Sequence, residues 1–144
     1  MKHLLLPLLS AIALLTSCGS VSTDKPSSLS PIAVGKTFQR VLVQDFTHTV
    51  TDDDGTTPIA ARKFSDEIAN AIRAAKPSAA VARSGKGGAG TLVISGEVTR
   101  YMEGNAALRL FIGMGAGSSY FDANVYLADG ATGQKLGTIR VDKN

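Results

Sequence analysis

The chain has 144 residues, with 15 Lys and Arg against 12 Asp and Glu and a formal charge of +3. That length suits one domain of modest size. So small a charge, with the basic residues scattered, argues against a nucleic-acid reader. Trp is absent and aromatic residues make up 6% of the chain, so no stacking platform for bases or sugars stands out.

Lys2 and His3 form a short polar start, and Leu4 to Leu15 is an apolar stretch broken only by Pro7 and Ser10. It is too short to span a bilayer, which takes about 20 residues. It fits the hydrophobic region of a signal peptide. The stretch ends in Leu15-Thr16-Ser17-Cys18. This resembles the lipobox of bacterial lipoproteins: an apolar residue, two small ones, then the cysteine that takes lipid. Residues 1–17 are therefore read as a lipoprotein signal peptide and Cys18 as the lipidated first residue of the mature chain. Each buried methylene contributes about 0.8 kcal/mol, so two or three acyl chains make a durable membrane anchor. Gly19, in place of Asp, implies by resemblance to enterobacterial sorting an outer-membrane lipoprotein facing the periplasm.

Cys18 is the only cysteine, which excludes an intramolecular disulfide and a Cys-based zinc site. Residues 18–35 carry the lipid and a Ser/Pro-rich run without apolar period, read as a solvated tether. Coil statistics let it hold the domain roughly 20 Å from the bilayer. Residues 36–144 form a single domain.

Within it, Arg40 to Phe46 is a strand whose Val41-Leu42-Val43 suits burial on both faces. Thr47 to Thr57 reads as a loop around Asp52-Asp53-Asp54-Gly55. A helix follows from Pro58 to Ala75, capped by Thr57 and stopped by Pro77. Phe64, Ile68, Ala71, Ile72 and Ala75 form its apolar stripe. Ala79 to Ala82 is a short strand and Gly85 to Gly90 a flexible loop. Thr91 to Met102 is a strand with Leu92, Ile94 and Val98 on one face and Ser95, Glu97 and Thr99 on the other. Leu108 to Ile112 is apolar and runs into Gly113-Met114-Gly115-Ala116-Gly117. Ser119 to Ala128 alternates Phe121, Ala123, Val125 and Leu127 with Tyr120, Asp122, Asn124 and Tyr126. After the turn Asp129-Gly130-Ala131-Thr132-Gly133, Lys135 to Val141 closes a hairpin. The predicted fold class is α+β, a small two-layer sandwich with one main helix on a mostly antiparallel sheet of about four strands.

Ser84 to Thr91 is glycine-rich, but a phosphate loop needs Lys beside the Ser or Thr and a helix directly after; here Gly90 precedes Thr91 and a strand follows. Gly113-x-Gly-x-Gly117 lies between strands, where a dinucleotide fingerprint does not work. The Asp52–Asp54 run lacks the spacing of a calcium loop. Once His3 leaves with the signal peptide, His48 has no second histidine, and no nucleophile, base and oxyanion donors group together. No metal, no cofactor and no enzymatic activity are expected.

The strand Val41-Leu42-Val43-Gln44-Asp45-Phe46, the helix after it and Leu92-Val93-Ile94-Ser95-Gly96-Glu97-Val98 follow a familiar order, with Arg109 ahead of the Gly113–Gly117 run and the Asp129–Gly133 hairpin. In that order they resemble the DUF4410 family of bacterial lipoproteins over residues 36 to 142. The family is of unassigned function and offers no catalytic residues to carry over. The expected function is a non-catalytic interaction or assembly accessory of the cell envelope. Its partners are the membrane through Cys18 and an envelope protein. The candidate interaction loop is Arg109, Phe111, Gly113, Met114, Gly115 and Gly117. The alternative is a periplasmic binding module for a small ligand, glycan or peptidoglycan fragment, which needs Tyr101, Tyr120 and Tyr126 to converge. An envelope hydrolase needs a cleft that holds His48 with Asp45 or Asp122.

Overall fold

The computed structural model describes residues 22–23, 28–30, 35–51, 55–103 and 120–143. Residues 1–17, expected to be a signal peptide, and Cys18 lie outside them, as do Asp52 to Asp54 and the whole candidate loop with Arg109, Phe111, Gly113, Met114, Gly115 and Gly117.

The described residues form one helix, α1 (Thr57–Ala75), and eight strands in one sheet. The strands are β1 (Ser22–Thr23), β2 (Ser28–Leu29), β3 (Arg40–Val43), β4 (Thr47–His48), β5 (Ala80–Ala82), β6 (Thr91–Met102), β7 (Tyr120–Asp129) and β8 (Lys135–Lys143). The main order across the sheet is β1-β8-β7-β6-β3-β5, with β2 also on β8 and β4 also on β6. The α+β class holds, but the expected four strands and mostly antiparallel pairing are corrected to a larger, mixed sheet. β6, β7 and β8 are antiparallel, whereas β3 and β4 pair parallel to β6 and β5 pairs parallel to β3. A helix between β3 and β5 is the connection that parallel neighbours require.

The helix sits on the sheet through small side chains. Thr57, Ala61, Ser65 and Ala69, spaced by four, are its buried residues, so its backbone approaches the strands closely. Phe64, Ile68 and Ile72 pack along the flank, but Ala71 and Ala75 of the expected stripe are exposed. The buried Ser65 hydroxyl accepts from the Phe46 amide at 3.1 Å and donates to the Ala61 carbonyl at 3.0 Å. It thus gives Phe46 N–H a partner where the chain leaves β3. Thr57, expected as the cap, is buried; the cap position is Thr56, without a side-chain capping bond, and Pro58 stands in the first turn.

The core beneath the helix is Val41, Val43, Phe46, Ile94, Val98 and Val125, flanked by Leu92, Phe121, Leu127, Ile139 and Val141. Gly96 leaves room for the Phe46 ring, which a Cβ there would strike. A bulge after Val98 shifts the register by one residue, so that Tyr101 faces the core side opposite Phe121.

The chain's path fixes two ends of the sheet. β6 runs from Thr91, just before Leu92 opposite Asp129, to Met102, opposite Tyr120, and β8 returns from Lys135 toward Lys143, opposite Phe121. The β7–β8 turn closes one end. There Gly87 packs so tightly on the turn that a Cβ would come 2.7 Å from the Gly130 carbonyl. The expected flexible loop at 85–90 is thus pinned against the hairpin, with Gly130 N–H donating to the Thr91 carbonyl at 2.8 Å. Lys36 binds Asp129 at 2.6 Å across the same end. Two short strands fall inside the segment read as a tether: Ser22 pairs with Asp142, Ser28 with Thr138, and Ser30 N–H donates to the Leu136 carbonyl.

Candidate functional site

The end of the sheet opposite the hairpin turn is apolar and open. The first turns of α1 rise here above the ends of β6, β7 and β8, leaving a groove of about 720 Å³. Ile59, Phe64, Tyr101, Tyr120, Phe121 and Val141 give it an apolar lining, with Lys63, Glu67 and Glu103 also on its walls. Ile59 is 69% exposed and Met102, at the end of β6, is 54% exposed. A row of rings supports the floor: Phe46 meets Phe64 edge-on at 5.2 Å, Phe64 meets Phe121 at 4.7 Å, and Tyr101 meets Phe121 at 6.3 Å. These separations are those of favourable aromatic pairs, so the floor belongs to the core. Arg100 lies over the Tyr120 ring at 4.4 Å and reaches Asp122 at 3.3 Å.

The sheet face away from the helix is polar over β6, β7 and β8, as the alternation of β7 predicts. The Tyr126 hydroxyl donates to Glu97 Oε1 at 2.6 Å and the Asn124 amide donates to the same oxygen at 3.2 Å. Hydrogen bonding from Tyr126, then from Asn124, holds the Glu97 carboxyl below its ordinary range, against the opposing effect of burial. The bond to Glu97 raises the Tyr126 hydroxyl in turn, and burial adds to it. On the same face the Asp122 and Asp142 Oδ1 atoms and the Thr138 hydroxyl are buried without a hydrogen-bond partner. Asp122 and Asp142 stand opposite one another on β7 and β8.

The groupings that an active site or sugar platform would need do not assemble among the described residues. Tyr101 and Tyr120 border the groove, but Tyr126 is engaged on the polar face, so the three tyrosines do not converge. Asp45 is held by Arg83, which also binds Asp66 and the Val43 carbonyl and so ties β3, β5 and α1 together. Asp122 is held by Arg100. No three His, Cys, Asp or Glu side chains among the described residues stand close enough to share a metal ion. No helix among them is long and apolar enough to cross a membrane.

Sequence reasoning missed the groove because four separate elements build it. Its one local trace is Ile59, an apolar residue lying off the stripe that the helix buries. Glu103 and Tyr120, the described residues on either side of 104–119, both line the groove.

One helix on one face of a mixed sheet, with an apolar groove at one end, defines a small α+β domain. The DUF4410 domain of unknown function matches residues 24–144, and the chain belongs to that family. No curated protein matches it. Among solved structures it is similar to PelC from Paraburkholderia phytofirmans. A leucine-to-methionine variant of PelC, a dodecamer in space group C2, is 16% identical with a TM-score of 0.55, covering 86% of this chain and 78% of that one. A second PelC dodecamer, in space group P6, is 14% identical with a TM-score of 0.53, covering 88% and 82%. At such identity the likeness is one of fold.

Proposed function

We propose that the chain is a lipid-anchored, non-catalytic assembly module of the cell envelope, whose copies associate with one another and with a partner protein. The lipobox ending in Cys18 supports the anchor. The observation that carries the assembly role is the fold shared along most of the chain with a protein solved as a dodecamer. The polar face supplies a fitting contact surface. Glu97, Asn124 and Tyr126 are held in place by their mutual hydrogen bonds.

The test uses the mature chain extracted from membranes. Intact mass is expected to show a chain that begins at Cys18 and carries acyl groups. Native mass spectrometry is expected to show a closed oligomer. Replacing Glu97 and Tyr126 together by Ala is expected to shift the population toward monomer. An unmodified chain that is monomeric at all concentrations would overturn the proposal.

A further inference from the structure

We infer that the groove end of the sheet faces the lipid surface, and that Ile59, Met102 and Tyr120 rest on the headgroup region of the leaflet that holds the Cys18 acyl chains. The inference depends on the reading of Cys18 as the anchor and adds an orientation to it.

The first observation is the length of chain between the anchor and the sheet. Ser22 is paired with Asp142 and Thr23 with Val141. Four residue steps separate Cys18 from Ser22. A fully extended chain covers at most about 3.6 Å per residue, so the lipidated residue stands within roughly 14 Å of this pairing. Val141 itself lines the groove. From there the segment runs along β8 away from the groove, through Ser28 opposite Thr138 to Ser30 at the Leu136 carbonyl. The anchor therefore enters at the groove end. β7 carries ten residues from Tyr120 to Asp129. At about 3.4 Å per residue, the hairpin turn lies roughly 30 Å beyond.

The second observation is independent of the first. Of the large exposed apolar side chains among the described residues, Ile59 lines the groove and Met102 ends β6 at the same end, opposite Tyr120. Tyr120 stands beside them with Arg100 over its ring. Tyr and Arg combine an apolar body with a polar tip, which suits the boundary between acyl chains and water. The hairpin end instead presents the Lys36–Asp129 ion pair and a turn closed by its own backbone bonds. A lipid surface is the occupant that both the short reach and the apolar end require.

The experiment uses the acylated mature chain in lipid nanodiscs. Two exposed positions, Met102→Cys and Ala131→Cys, each carry an environment-sensitive fluorophore; Cys18, blocked by its lipid, stays unlabelled. Lipids bearing a nitroxide near the headgroup are the quencher. The probe at 102 is expected to lose most of its emission and the probe at 131 to keep it. Equal quenching at both positions, or the reverse order, overturns the orientation. So does a probe at 102 that is shielded from water yet unquenched, because a protein then covers this end. Intact mass of the same samples separates the two readings. Missing acyl mass removes the anchor itself, whereas acyl mass with an unquenched probe at 102 removes only the orientation.

Discussion

At the hairpin end of the sheet, polar groups find partners within the chain. Gly87 packs on Gly130, Gly130 N–H donates to Thr91, Ala131 N–H donates to Asp129, and Lys36 closes over the Asp129 carboxylate. At the groove end the aromatic floor is packed but the rim is left open, with Ile59 and Met102 in solvent. One end is finished by its own chain, and the other has apolar surface to spare. The contrast separates residues that keep the fold from residues free to serve contact.

The largest effect is expected under the groove. Phe64→Ala removes the ring between Phe46 and Phe121 and should cost about 3 kcal/mol in denaturant unfolding; a loss below about 1 kcal/mol would mean that the floor is as loose as the rim. Next, at the closed end, Gly130→Val places a side chain where a Cβ would lie 2.8 Å from the Thr91 carbonyl. Overpacking there should cost about 2 kcal/mol, and an unchanged midpoint would show that this end is not tight. Arg83→Met releases Asp45, Asp66 and the Val43 carbonyl. Both carboxylates are more than half exposed, so the loss should be about 1 kcal/mol.

Lys36→Met tests the closed end through pH. The Lys36 hydrogen bond is the main reason the Asp129 carboxyl sits below its ordinary value, and the backbone N–H of Ala131 adds to it. A depressed carboxyl stabilises the fold above its unfolded pKa, and that stability is lost as pH falls through the lower folded value. The variant should therefore be less stable than the parent at neutral pH, and the gap should close in strong acid. A gap that persists at low pH would assign the loss to packing. The smallest effect belongs to the rim: Ile59→Ser and Met102→Ser should leave stability within about 0.5 kcal/mol of the parent.

The parts legible in the sequence are those whose cause is local. β6 spans Thr91 to Met102 and follows its alternation as far as Val98, and β7 places Phe121, Ala123, Val125 and Leu127 on the core side as their spacing of two requires. Tyr101 broke the pattern because the bulge after Val98 is a property of the pairing with β7. β4 was read as loop because Thr47 and His48 are exposed and polar; what makes them a strand is backbone pairing with Glu97 and Val98. β1 and β2 escaped for the same reason, since serine-rich pairs carry no apolar signal and depend on the edge that β8 offers. On the helix, the buried row rests on Ala61, Ser65 and Ala69. A hydrophobicity scale ranks these below the leucine-like residues that it expects to find inside. The groove was out of reach because it is a relation among α1, β6, β7 and β8, each of which looks ordinary alone.

The borders of the sheet limit how copies can join. β5 offers only three residues at one border, and its Val81 carbonyl is already taken by Arg73. At the other border, β8 is met near its end by β1 and further back by β2. Among the described residues, neither border presents the long, flat row of free amides and carbonyls on which foreign strands are recruited. Copies of the chain that crowd together are thus hindered from zipping into continuous β ribbons. Whatever order it adopts must be written in side chains, where a single substitution can edit it.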